Sequence, residues 1–176
     1  MPPPARGTVP MSRQLRPGES RWPVGLSDLQ ALGDRCGVPS VWVEGELPEL
    51  PGVAVVGARM ADATGQEVAR RIGADLGRRG VTVVSGFALG VDAAAHRGCL
   101  AAGGQTVAVL GCGLAVDYPR SHGALRTEVS LRGALLSEYT PRGTVRALGT
   151  FRIATGSSPH SPGRWWWWRR GRRAEL

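Results

Sequence analysis

Neither lysine nor asparagine occurs in this chain of 176 residues, so all 22 of its basic side chains are arginine. With abundant Ala, Gly and Pro, that bias is the mark of a GC-rich coding sequence, which matters at the C-terminus. Cysteine is scarce: Cys36, Cys99 and Cys112 show no CxxC spacing, which argues against a structural zinc and against a disulfide framework. There is no signal-peptide pattern and no apolar run of about eighteen residues, so no membrane helix is expected and the simplest location is cytoplasmic. Also missing are the G-x-G-x-x-G fingerprint and the Walker A pattern, which disfavours a dinucleotide cofactor. No cofactor and no metal are expected.

What is present suits one ordinary domain: 42% of residues are hydrophobic, enough for a sizeable core. The net charge of +8 suggests a polyanionic partner. Half of it lies in residues 164–176, where five Arg and one Glu give +4, so the body is only mildly basic.

Along the chain, residues 1–20 are rich in Pro and Arg, lack periodicity, and are expected to be a disordered lead-in. Residues 21–52 combine a short helical spacing, Leu26, Leu29 and Leu32, with the alternating Val41-Trp42-Val43. From Val53 the pattern is regular. Strands are expected at 53–57 (VAVVG), 81–85 (VTVVS), 106–111 (TVAVLG) and 134–139 (ALLSEY), with helices over Gln66–Arg79, Asp92–Ala102 and Ser121–Arg132. In the first helix Val68, Ile72 and Leu76 share an apolar face, while Arg70, Arg71, Arg78 and Arg79 form a solvated one. Strands alternating with helices of ten or more residues imply right-handed crossovers. The expected fold class is therefore α/β, a doubly wound, mostly parallel sheet covered on both faces.

In such a sheet ligands bind beyond the carboxyl ends of the strands. Three strands end in glycine-containing loops: Gly57-Ala58-Arg59, Ser85 to Gly90, and Gly111-Cys112-Gly113-Leu114. Small residues there let backbone N–H groups approach a phosphate, and Arg59 and Arg120 add charge on the same edge. Asp92 and His96 lie four apart on one helix face, so an acid/base or metal pair is conceivable, although no third ligand accompanies them. Ser85 lacks the Gly-x-Ser-x-Gly elbow of a serine hydrolase. Cys99 and Cys112 read as small packing residues.

VAVVGAR (53–59), VVSGFALGVDAAAHRGCLAAGGQTVAVLGCGLAVDYPR (83–120) and GALLSEY (133–139) resemble the DNA-processing protein A (DprA/Smf) family. The likeness covers roughly residues 22–153, with Trp22-Pro23 and Gly37 to Gly45 similar to the family's lead-in. It implies a Rossmann-like domain over 53–153 that binds single-stranded DNA without cofactor or catalysis, in DNA uptake and natural transformation. Family members act as homodimers and load a RecA-type recombinase. The implied DNA-binding residues are Arg59, Ser85, Gly86, Gly111, Gly113 and Arg120, with Phe151 as the stacking aromatic. Arginines plus one ring suit sequence-tolerant binding. A nucleotide phosphoribohydrolase would place a phosphate on similar loops, but its Pro-Gly-Gly-x-Gly-Thr motif has no match here.

The resemblance stops after Phe151-Arg152-Ile153. Tryptophan has the single codon TGG, so Trp165–Trp168 is encoded by TGGTGGTGGTGG, which read one nucleotide earlier gives a run of valines. The same shift applied to 154–163 allows Arg-Asn-Arg-Leu-Ile-Ala-Ala-Leu-Ser-Arg, the family's next motif. Residues 154–176 are therefore expected to be an out-of-frame tail, and the sheet incomplete on its C-terminal side. The alternatives are a genuine Trp/Arg nucleic-acid-binding tail and an inert fragment with an unpaired sheet edge.

Overall fold

The computed structural model describes residues 12–22, 40–49 and 52–143. In chain order the elements are β1 (Arg13–Leu15), β2 (Val41–Gly45), β3 (Gly52–Ala54), α1 (Ala63–Arg78), β4 (Thr82–Ser85), α2 (Val91–Ala101), β5 (Thr106–Val109), a 3-10 turn (Arg120–His122), α3 (Gly123–Arg132) and β6 (Ala134–Ser137). The six strands form one sheet in the order β1-β2-β6-β5-β4-β3. Strands β3 to β6 run parallel, while β2 pairs antiparallel with β6 and β1 antiparallel with β2. The fold is α/β, with a mixed and open sheet.

Each crossover from β3 to β6 steps the same way across the sheet, so right-handed connections carry all three helices to one face. Side-chain packing follows. On the helical face Ala108 and Leu135 meet Ala93 and Leu100 of α2 and Leu125 and Val129 of α3, and beside them Val83 meets Ala95 and Cys99. On the other face Val84, Val107, Val109 and Leu136 pack with Val41 and Val43, and Leu15 and Trp22 join them. Central strands buried on both faces need continuous apolar runs, which is why they read as Val-rich stretches and not as alternating ones.

Three expectations are corrected. The lead-in is not structureless throughout. Leu15 is buried and β1 pairs residue for residue with Val41–Val43, while Glu46 receives Arg13 at 3.0 and 3.2 Å and Arg21 at 2.8 Å. The Arg13 guanidinium, seconded by Arg21, holds the Glu46 carboxyl below the ordinary range. A three-residue strand is ordered by a distant partner, which local composition cannot reveal.

Next, α1 begins three residues early. Asp62 caps it, its carboxylate accepting the Gly65 N–H at 2.7 Å.

Finally, of the apolar face of α1 only Leu76 packs on the core. Val68 and Ile72 are 50% and 45% exposed, and the buried residues are Ala69, Gly73 and Ala74. A Cβ on Gly73 would press on the backbone of Ala95, and one on Gly98 on that of Arg70. The two helices therefore meet backbone to backbone, which large side chains would prevent. The expected solvated face is present: Arg70 and Arg71 pair with Glu67 at 2.8 and 2.7 Å and hold its carboxyl down to about 2, and Arg78 pairs with Asp75.

One ion pair lies inside. Arg126 of α3 donates to Glu44 of β2 at 2.9 Å and to the Leu114 carbonyl, and the two side chains are only 18% and 9% exposed. Arg126→Ala should lower unfolding stability by about 3 kcal/mol, because it strands a buried carboxylate. Urea denaturation checks this, and adding Glu44→Gln should restore part of the loss.

Candidate nucleic-acid interface

The loops after β3 and β4 are locked to each other before any ligand is considered. Gly90 has φ +78°, and a Cβ there would fall on the carbonyls of Ala58 and Arg59, so no other residue lets the loops approach so closely. Val91 N–H donates to the Ala58 carbonyl at 3.2 Å, and the Ser85 hydroxyl donates to the Val55 carbonyl at 2.6 Å. Arg59 thus leaves a fixed turn.

Beneath the second loop lies Asp92, buried at the start of α2, whose carboxylate accepts the Ala88 N–H at 3.2 Å. Burial pushes its pKa up, opposed first by the hydrogen bond from the Ala88 backbone. The Ala88 amide of the loop is therefore turned toward an acidic group of the chain itself, whose Oδ1 is buried without a partner among the described residues. Ser85 and Gly86 are both buried, and the Ser85 hydroxyl is engaged by the Val55 carbonyl. Gly113 is buried as well. Its N–H donates to the Gly143 carbonyl at 3.1 Å, and a Cβ there would meet the carbonyls of Thr140 and Pro141. Gly111 sits half-buried in the bend after β5. Phe151 and the 154–176 tail lie outside the described residues, as do Leu26, Leu29, Leu32 and Cys36.

Nor do Asp92 and His96 form an acid/base pair. His96 is fully buried and its Nδ1 lies 2.6 Å from the Thr106 hydroxyl, which itself donates to the Val83 carbonyl at 2.7 Å. Cys99 and Cys112 are buried free thiols, pushed up in pKa by burial. Among the described residues no group of His, Cys, Asp and Glu could hold a metal ion, and no helix is long and apolar enough to cross a membrane.

The exposed arginines divide into two sets. Arg13, Arg21, Arg70, Arg71 and Arg78 are neutralised by carboxylates. Arg16, Arg59, Arg79, Arg97, Arg120, Arg132 and Arg142 are exposed and make no ion pair among the described residues. Arg59 and Arg97 line one cleft of about 520 Å³ at the carboxyl edge of the sheet, together with Gln66, Ser121 and His122. Arg120 precedes Ser121 at its margin. Met60, Leu89 and Ala93 supply apolar lining, and no acidic residue takes part.

Phe87 lies behind His122, one of the lining residues. It is buried, adopts φ +62°, and packs against the rings of His96 and His122 with centroids 5.8 and 5.2 Å away. A bulky residue held in the left-handed region marks a loop whose shape is imposed by its surroundings. Burial, with the charge of Arg97 nearby, keeps the pKa of His122 below its ordinary value. Sequence reasoning missed Arg97 and Gln66. The available signal was the one arginine of a helix otherwise rich in small and apolar residues, with Asp92 and His96 its other polar members.

A family model described as DNA recombination-mediator protein A matches residues 13–151. A Mycobacterium tuberculosis DNA processing protein, DprA, is 42% identical over 139 residues, which is 73% of this chain and 36% of that protein. The Synechocystis Smf protein is 41% identical over 114 residues, 62% of this chain and 28% of the relative. The chain thus spans about a third of the length of the curated relatives it matches. The crystal structure of DprA from Streptococcus pneumoniae superposes with a TM-score of 0.68 at 30% identity, covering 77% of this chain and 46% of that one. DprA from Helicobacter pylori shares the fold with a TM-score of 0.66 at 24% identity, covering 78% of this chain and 60% of that one. The chain belongs to the DprA/Smf family of DNA recombination-mediator proteins.

Proposed function

We propose that this chain binds single-stranded DNA at the carboxyl edge of its sheet, without catalysis, as part of DNA processing in natural transformation. The observation that carries the reading is the sorting of the arginines. Those on α1 are spent on carboxylates, whereas of the unpaired arginines Arg59 and Arg97 line one acid-free cleft, and Arg120 adjoins its Ser121 in the chain. Unpaired guanidiniums gathered there favour a polyanion, and phosphate contacts of this kind are indifferent to base sequence. The Helicobacter pylori relative of the same fold is described by its single-stranded DNA binding mode, which supports the same ligand. The inward duties of Asp92, His96 and Ser85 favour binding over hydrolysis, since none offers a general base to the cleft. Homodimerisation and delivery of the strand to a RecA-type recombinase complete the proposal as the family's role.

The test is a salt titration of oligo-dT binding. Arg59→Ala should weaken binding about tenfold on every sequence and reduce the log–log salt slope by about 0.7, the value for one single-strand phosphate contact. Arg71→Ala, already paired with Glu67, should leave both unchanged. Absence of binding by the unaltered chain at low salt would overturn the reading.

A further inference from the structure

The cleft has two properties that phosphate binding alone does not explain. Its volume of about 520 Å³ is far larger than a phosphate needs and lies in the range that accepts a whole small ligand. It also exposes large apolar side chains beside its charges: Met60 is 96% and Leu89 49% exposed. A charged cleft with apolar walls fits a ligand that is anionic at one end and flat and apolar at the other. A nucleotide is such a ligand.

The cations come from two independently fixed elements. Arg59 leaves the turn clamped by Gly90, and Arg97 rises from α2, whose next residue, Gly98, is pressed against the backbone of Arg70. Two guanidiniums facing one space with no carboxylate among its lining residues repel each other until an anion sits between them. His122, on the same lining, has its pKa lowered by burial and by the charge of Arg97.

We infer that the cleft seats one complete nucleotide of the bound strand: Arg59 and Arg97 bracket its phosphodiester, and its base lies over Met60 and Leu89. This rests on the single-stranded DNA reading above and adds to it Arg97 as an anchor equal to Arg59 and a base-seating wall without an aromatic ring. The Ser121 hydroxyl both donates and accepts, so it adapts to any base edge, while the Gln66 amide is anchored by donation to the Ala61 carbonyl at 2.9 Å and keeps its oxygen as an acceptor.

Fluorescence anisotropy on the full chain, with labelled dT12 and an abasic strand of equal charge, tests it. Arg97→Ala should weaken dT12 about tenfold and flatten the salt slope by about 0.7, and Arg97→Lys should recover most of the affinity. Met60→Ala with Leu89→Ala should weaken dT12 by about threefold to tenfold and leave the abasic strand unaffected. Circular dichroism establishes that each variant is folded. An Arg97→Ala chain with unchanged affinity and slope, while Arg59→Ala is weakened, overturns the inference and leaves the DNA reading standing. Equal loss on dT12 and on the abasic strand overturns the base seat. Displacement of dT12 by free dTMP at strand-like concentrations overturns the assignment to a strand, and failure of the unaltered chain to bind overturns both readings.

Discussion

Gly98→Ala is expected to lower stability by about 3 kcal/mol or more, a large share of what holds a domain of this size together. The added methyl would lie against the Arg70 carbonyl oxygen, 2.8 Å from its carbon and 3.0 Å from the Arg70 Cα. All these atoms are helix backbone, so no flexible side chain can move aside. The contact is also reciprocal: Gly73 meets Ala95, and Gly77 meets Cys99 and Gly104, so relief at one point requires α1 and α2 to separate along their length. Gly123→Ala is the internal control. It begins α3 with φ −53° and ψ −47°, and a Cβ there has nothing within 4 Å. Helix propensity then predicts no loss and a gain of up to about 1 kcal/mol. Denaturant midpoints of the two variants decide the matter. If Gly98→Ala falls within about 1 kcal/mol of the unaltered chain, the helices are not in backbone contact.

That interface shows why part of the fold was legible in the sequence and part was not. VTVV and TVAV announce buried parallel strands because burial on both faces tolerates only apolar residues. The α1–α2 seam gives no such signal, since periodicity weighs large side chains and the seam is made by their absence. Of the residues that periodicity selects, Val68 and Ile72 face outward. Strand β1 was invisible because its order comes from Val41–Val43 and from Glu46, some thirty residues away.

The site divides in the same way. Strand topology puts Arg59 and Arg120 beyond the carboxyl ends of the strands, and of the two Arg59 lines the cleft. The glycine loops were read as phosphate cradles because small residues followed by a helix serve either an external or an internal anion. Only the folded chain identifies Asp92 as the group that the Ala88 amide faces. Arg97 was hidden for a related reason: whether an arginine is free depends on which carboxylates lie within reach, and sequence does not order distances between elements.

Acid should destabilise the chain well before its carboxylates are exhausted, and His96 should be the main cause. The Thr106 hydroxyl gives its one proton to the Val83 carbonyl, so it can only accept from His96, which assigns the histidine proton to Nδ1. Nε2 is left as a bare acceptor, buried and without a partner among the described residues. Protonating it would place a cation where nothing can solvate it, with His122 and Arg97 adding unfavourable charge, and burial accordingly lowers the pKa from 6.5 to about 3. Below pH 6.5 the unfolded chain therefore takes up a proton that the native chain refuses. Stability is complete above that value and falls by about 1.4 kcal/mol per pH unit on the way down, to a total of about 4–5 kcal/mol near pH 3. His122, also lowered by burial, acts in the same direction; Asp92, raised by burial, acts against both. Urea midpoints between pH 7.5 and 4.5 should show His96→Gln less stable at neutral pH and less sensitive to acid, and equal pH slopes for the two chains would refute the assignment. The consequence reaches the cleft, because Phe87 packs on both histidines and carries the loop that ends at Gly90 against Ala58 and Arg59. As His96 charges, that loop should loosen, and oligo-dT affinity should fall with the fold even though falling pH makes the cleft more positive.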